Sequence, residues 1–311
     1  MPVFSSLAHD IVCVDSLYVQ PQVASIYLLR GAQEVAVIET GTSHSVDNLL
    51  ATLAELNIDR SQVKYVIPTH VHLDHAGGAG EMMKQFSQAS LIVHPRGARH
   101  MINPEKLIAG SIEVYGAEQF KKLYGDIIPI DEARILIAND LDSFQLGPRE
   151  LLFIDTPGHA RHHFCIYDQQ SEGIFSGDTF GISYAPMKQL ARGLLPTTPP
   201  VQFDPEALPR SIDRLMQYNP KRLYLTHYGE YAEPSRQLAS FNRWIDDYVR
   251  LCREFNPLEP GSEAPLEKAL AGLIMQELQD ADDLQQLARI LKTDIHLNAQ
   301  GLAHWWRSTH A

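Results

Sequence analysis

Cysteine is scarce in this chain. Cys13, Cys165 and Cys252 are the only three in 311 residues, an odd number spread too far apart for a disulfide framework. Cys13 and Cys165 lie in apolar runs, the setting of buried thiols, so a reducing, cytoplasmic location is expected. Basic charge is also short. Lys and Arg number 26 against 38 Asp and Glu, a net charge of -12, and no long basic run occurs. A nucleic-acid surface needs a basic footprint, so no nucleic-acid partner is expected. A small anionic substrate stays open, because a metal site supplies its own positive charge. No apolar stretch approaches the length of a membrane span, and residues 1–15 lack the basic start and long apolar run of a signal peptide. No membrane association is expected, and no internal repeat is visible.

What is present is ordinary for a globular protein with a sizeable core: 44% hydrophobic and 21% charged residues. The length suits one large domain, or a domain with an appendage. Asp10–Val14, Ile26–Arg30 and Val35–Glu39 read as strands, with a turn at Arg30-Gly31-Ala32. Apolar residues at 46, 49, 50, 53 and 56 form a helical face. The next strand, Val63–Ile67, delivers the most unusual stretch of the chain.

That stretch is Thr69-His70-Val71-His72-Leu73-Asp74-His75-Ala76-Gly77-Gly78. Three imidazoles and a carboxylate fall within six residues. His70 and His72 are two apart, so on an extended backbone they project the same way and can grip one ion. Asp74 and His75 follow where the chain turns, and suit a second ion. This is the ligand chemistry of zinc, iron or manganese. A single histidine in a loop is usually structural or solvated; His-x-His-x-Asp-His is too dense for that reading.

The same local context recurs. Glu150–Asp155 runs into Thr156-Pro157-Gly158-His159. A hairpin of His163–Tyr167 and Gly173–Phe175 ends in Ser176-Gly177-Asp178-Thr179, and Arg222–Leu225 ends in Thr226-His227. Four strands are thus expected to end in polar loops holding His70, His159, Asp178 and His227, a common way to build a site on a sheet. Residues 180–200, rich in Gly and Pro, are expected to form the mouth of a pocket. Residues 95–142 read as a mostly helical excursion from the sheet. A linker at 256–265 precedes a stripe of Leu266, Leu270, Leu273, Ile274 and Leu278. A second stripe holds Leu284, Leu287, Ala288 and Leu291, and a short third element spans Leu302 to Trp306. These C-terminal helices either pack on the main domain or offer a homodimer contact.

In order and spacing, these motifs resemble those of the metallo-β-lactamase superfamily: 84 residues from His75 to His159, 19 on to Asp178 and 49 on to His227. The resemblance covers about residues 10–250. It implies an α/β fold, the αββα sandwich of two sheets covered by helices, over residues 1–255, with the helical insertion at 95–142 and a C-terminal helical extension over 256–311. Carried over by position, it implies that His70, His72 and His159 hold a first divalent ion and Asp74, His75 and His227 a second, with Asp178 bridging both. Zinc is the first choice, with iron or manganese as alternatives. The implied reaction is hydrolysis of a small thioester, ester or lactone by a metal-bridging hydroxide, with Asp74 and Asp178 orienting it and taking its proton. Asp155, Glu39 and Thr156 are candidates to hold the ligands in place.

Among members of the superfamily, the layout is most similar to hydroxyacylglutathione hydrolases. Phe180-Gly181-Ile182-Ser183-Tyr184 and Ala160-Arg161-His162-His163 depart from the glutathione enzymes, so the resemblance implies the hydrolytic chemistry without the glutathione carrier. Tyr184, Tyr228, Lys188, Arg192 and His163 are candidate substrate contacts by position, His163 being also placed to support the site from behind. Two rivals stand beside the hydrolase. One is a sulfur dioxygenase with a single iron on the same fold. The other is a regulatory metal-binding protein working through a partner docked on the C-terminal helices. Metal content and the loss of turnover on changing His72 or Asp178 separate the three.

Overall fold

Strand alternation decides the layering of this protein. The computed structural model describes residues 1–199 and 201–310. Pro200 and Ala311, which close the stretch 180–200 and the extension 256–311, lie outside the described residues. Two sheets are present among the described residues. The first orders seven strands as in the chain: β1 (Phe4–Ser6), β2 (Ile11–Asp15), β3 (Ser25–Gly31), β4 (Glu34–Ile38), β5 (Val63–Ile67), β6 (Ser90–Val93) and β7 (Ile135–Ile137). The second runs in reverse order from β13 (Gly229–Ala232) through β12 (Arg222–His227), β11 (Gly173–Ile182), β10 (Phe164–Asp168) and β9 (Arg149–Asp155) to β8 (Ser143–Leu146).

Chain contacts divide the protein into two compact units. One holds Met1–Asp155, His162–Gly177 and Lys221–Glu230; the other holds Thr156–Arg161, Asp178–Pro220 and the chain from Tyr231.

In the first unit, side chains of successive residues leave a strand on opposite faces. Ile11 and Cys13, Tyr27 and Leu29, and Ala36 and Ile38 pack against Leu151, Phe153, Phe164, Ile166 and Phe175 of the second sheet. Their alternates, Val12 and Val14, Ile26 and Leu28, and Val35 and Val37, pack on helices instead. Those helices are α1 (Val46–Glu55), α3 (Ala79–Gln85) and α4 (Ala98–Ile102), while the single turn α2 (Leu73–Ala76) lies between β5 and α3. A buried ion pair ties the far ends of β9 and β10: Arg149 donates to both carboxylate oxygens of Asp168 at 2.8–2.9 Å and to the carbonyls of Arg30 and His9. The segment 95–142 supplies α4, α5 (Glu105–Tyr115) and α6 (Ala117–Tyr124), and then returns to the sheet as β7.

The second unit is built on α7 (Ala207–Met216), α8 (Leu238–Phe255), α9 (Glu263–Glu277), α10 (Leu284–Ile290) and α11 (Lys292–His310). Leu266, Leu270, Ile274 and Leu278 are buried at helical spacing, as their stripe implies. The third element is longer than Leu302 to Trp306. It is a helix of 19 residues whose polar residues, Asn298 among them, hide its periodicity. Asn298 is buried because it serves the backbone: its Oδ1 accepts from Thr198 N at 2.7 Å. No described helix is long and apolar enough to cross a membrane.

Candidate metal centre

Strand β5 is buried at four of its five residues, and its parallel pairing with β4 aligns Ile38 with Ile67. Continued by one residue, that register sets Glu39 level with Pro68, just before Thr69 and the histidine loop. Glu39 is itself buried, with a left-handed backbone at φ 66°. Its carboxylate is an acceptor only, and four donors converge on it. Oε2 accepts from Thr69 N at 3.1 Å. Oε1 accepts from Thr69 Oγ1 at 2.6 Å, Thr226 Oγ1 at 2.8 Å and His75 Nδ1 at 3.1 Å.

These bonds set the tautomers of the ring nitrogens. With Nδ1 of His75 donating to Glu39, its lone pair sits on Nε2, 3.6 Å from Asp74 Oδ2. His227 donates from Nδ1 to the Val23 carbonyl at 2.8 Å, which presents its Nε2 lone pair 3.5 Å from the same oxygen. The Thr69 hydroxyl spends its proton on Glu39 and so accepts from Nδ1 of His70 at 3.1 Å. Nε2 of His70 then lies 2.9 Å from Nδ1 of His72. Imidazoles that hold metals are oriented by such bonds from their other nitrogen.

The turn after the loop is built for close approach. Thr40 N and Oγ1 both donate to the His75 carbonyl, at 2.8 and 2.7 Å. A Cβ on Gly78 would meet the Thr40 carbonyl at 2.4 Å, which explains the glycine. Behind His70 lies the buried ring of His163, with centroids 4.9 Å apart. His162 is also buried; its Nδ1 accepts weakly from Val71 N at 3.5 Å, and burial, with His72 nearby, pushes its pKa down to about 2.

In the second unit, His159 is fully buried at the end of Thr156-Pro157-Gly158, and Pro157 accepts a 2.6 Å hydrogen bond from Ser211 on α7. Gly158 has φ 136°, and a Cβ there would strike the backbone of Leu208. His159 Nδ1 faces Thr197 Oγ1 at 3.1 Å, and its Nε2 lies 3.4 Å from Asp178 Oδ2. Asp178 was expected in a loop. It sits inside β11, which continues to Ile182, where Ile182 pairs with Leu195.

Within the first unit, ligand-type atoms of Asp74, His75 and His227 lie within 4.8 Å of one another. Imidazole nitrogens and carboxylate oxygens are donors that fit divalent zinc, iron or manganese.

The candidate substrate contacts have other neighbours. Arg192 is buried, and its guanidinium faces Asp247 at 3.0 Å and Glu277 at 3.1 Å while stacking 3.7 Å above the Trp244 ring. These partners lie on α8 and α9. Tyr184 is buried with its hydroxyl 3.3 Å from Asp294 of α11. Tyr228 is half-buried against the inter-sheet core, and Lys188 is half-buried after the short turn Ala185–Met187. Of the three residues expected to hold the ligands, Glu39 accepts from His75 and Thr69. Asp155 accepts from His94 Nε2 at 2.9 Å, and Thr156 is buried. Sequence reading passed over Thr69 and Thr226, although a Thr-His pair closes both β5 and β12.

The description "metallo-beta-lactamase superfamily" belongs to a family model that matches residues 19–227. This chain is a member of that superfamily. It is 26% identical over 219 residues to the metallo-beta-lactamase fold-containing protein ST1585 of Sulfurisphaera tokodaii, covering 67% of this chain and 74% of that protein. The solved structure of ST1585 from Sulfolobus tokodaii superposes with a TM-score of 0.61 at 23% identity, over 90% of this chain and 93% of that one. An acyl-coenzyme A thioesterase, MBLAC2 of Gallus gallus, is 28% identical over 165 residues, 50% of this chain and 57% of its own. A hydroxyacylglutathione hydrolase of Polaromonas is 27% identical over 148 residues, 47% of this chain and 45% of its own. The chain thus spans about half the length of these two relatives. The two sheets flanked by helices are the αββα sandwich of the superfamily, and the fold implies binding of divalent metal.

Proposed function

We propose that the protein is a metal-dependent hydrolase of acyl thioesters. His70, His72 and His159 would hold one ion, Asp74, His75 and His227 a second, and Asp178 would reach both. The group Asp74, His75 and His227, with ligand-type atoms within 4.8 Å of one another, carries this reading. Two divalent ions, when bound, supply the Lewis acidity that polarises an acyl carbonyl and acidifies water. The protein's own part is orientation. Glu39 fixes His75 directly, and His70 through Thr69. Asp74 is partly open to solvent and Asp178 is nearly buried; these two carboxylates orient the attacking water and accept its proton. The names of two relatives, a thioesterase and a hydroxyacylglutathione hydrolase, favour a thioester over an ester or lactone. The group Asp74, His75 and His227 goes beyond what one ion requires, which sets the hydrolase ahead of a dioxygenase with a single iron.

Elemental analysis of protein purified without added metal, followed by a panel of thioesters, tests this. About two ions per chain and turnover that is lost in His72→Ala and Asp178→Asn are expected. One iron per chain with no thioester turnover would overturn the proposal.

A further inference from the structure

Helix α5 has 11 residues and none is buried. A helix of this length normally docks by burying an apolar stripe. Its apolar residues do share a face: Ile108, Ile112 and Tyr115 follow the i, i+4, i+7 spacing, with Leu107 beside them. All four are half-buried members of a cluster built on the buried side chains of Phe120 and Tyr124 from α6 and of Leu73. Leu73 is the link to chemistry, because it stands between His72 and Asp74 in the histidine loop. The wall therefore starts at that loop and runs outward along α5, packed on one side and open on the other.

Its polar groups are hydroxyls: that of Ser111, half-buried one turn from Leu107 and Tyr115, and those of the tyrosines. Tyr18 and Tyr124 meet hydroxyl to hydroxyl at 3.3 Å with rings 6.0 Å apart, and the Tyr115 ring lies 5.9 Å from that of Tyr124. The Asp74 charge reaches Tyr115 and Tyr124, where it adds to burial in raising both hydroxyls, so both stay protonated donors. An acetyl group would need no such surface.

We propose that this wall, formed by Leu107, Ile108, Ile112 and Tyr115 over Leu73, binds the apolar acyl chain of the substrate, making medium-chain acyl thioesters the preferred class. The inference rests on the hydrolase reading above and adds the acyl group to it. Full burial of a methylene is worth roughly fourfold in binding, and a half-open wall about half that in free energy, so about twofold per methylene is expected.

The test is kcat/KM for butyryl, hexanoyl, octanoyl and decanoyl thioesters on one small carrier, with metal-loaded protein. A rise of roughly sixteenfold from butyryl to octanoyl is expected at about twofold per methylene. A flat or falling series overturns the acyl assignment while leaving the hydrolase standing. If no thioester is turned over, the hydrolase reading fails, and calorimetric titration with octanoate against butyrate decides the wall: tighter octanoate binding supports it, equal binding overturns it. Ile112→Ser and Leu107→Ser alter half-exposed positions, and each should lower the octanoyl-to-butyryl ratio about threefold or more. An unchanged ratio overturns the proposal, as does an unchanged ratio with a change in sedimentation mass, which would assign the face to a second copy of the chain.

Discussion

Glu39→Gln changes one oxygen to an amide nitrogen and tests the central claim about the site. Oε1 of Glu39 accepts three hydrogen bonds and Oε2 accepts one. The glutamine is best placed with its oxygen at the Oε1 position, which turns its NH2 towards the N–H of Thr69. That N–H loses its acceptor in a buried place, at a cost of about 1–3 kcal/mol. The three remaining bonds lose the assistance of the charge, about 1 kcal/mol each at most. Relief from burying a carboxylate and rotation of the two threonine hydroxyls offset part of this. A net loss of about 2–3 kcal/mol is expected, read by urea unfolding of the metal-free protein.

The same bonds orient His75 and, through Thr69, His70. Weakening such outer bonds typically lowers metal affinity about 10–100-fold. Competition with a coloured chelator reads this separately from stability. Glu39→Ala, which leaves all four donors without their acceptor, should be worse on both counts. Wild-type unfolding together with wild-type chelator competition in Glu39→Gln would refute the assigned geometry. A stability loss with unchanged metal affinity would show that Glu39 braces the strand ends and leaves the ligands alone.

Three other outcomes follow from named neighbours. Gly177 has φ 48°, and a Cβ there would lie 2.4 Å from His163 Nε2 and 2.5 Å from Thr69 Oγ1; Gly177→Ala should cost about 3 kcal/mol from overpacking and backbone strain together, and a wild-type melting temperature would contradict the close packing behind His70. Arg192→Met removes two ion pairs and the charge stacked on Trp244; it should cost about 2 kcal/mol, since both carboxylates are partly exposed, and leave KM for thioesters unchanged, whereas a raised KM would mark Arg192 as a substrate contact. Burial pushes the Cys252 thiol from 9.0 up to about 12; the unfolded chain therefore loses this proton first, so the contribution to stability is whole below pH 9 and is lost as pH rises towards 12. At pH 8 native protein should resist iodoacetamide at its three buried cysteines and react once unfolded in urea, and labelling of Cys252 in the native state would show that α8 opens.

The ligand motif was legible because metal chemistry forces unusual residue types into short spacings. His70, His72, Asp74 and His75 need no tertiary information to stand out, and the period-two pattern of β2 to β5 follows from having one face on helices and the other on a sheet. What escaped notice is set by long-range pairing. β8, with Ser143 and Gln145 exposed, and the three-residue β7 carry too little apolar signal to mark themselves, and they exist because β9 and β6 offer open edges. The ion pairs of Arg192 gave no local sign because its carboxylate partners lie 55 and 85 residues further on, at Asp247 and Glu277. The α5 wall is the most instructive case. Its residues spell an ordinary amphipathic helix, and nothing local distinguishes a face that packs from one left half open. Only the placement of Leu73 against Phe120 and Tyr124 ties that face to the histidine loop, and this tie makes chain-length selectivity a consequence of where the insertion folds.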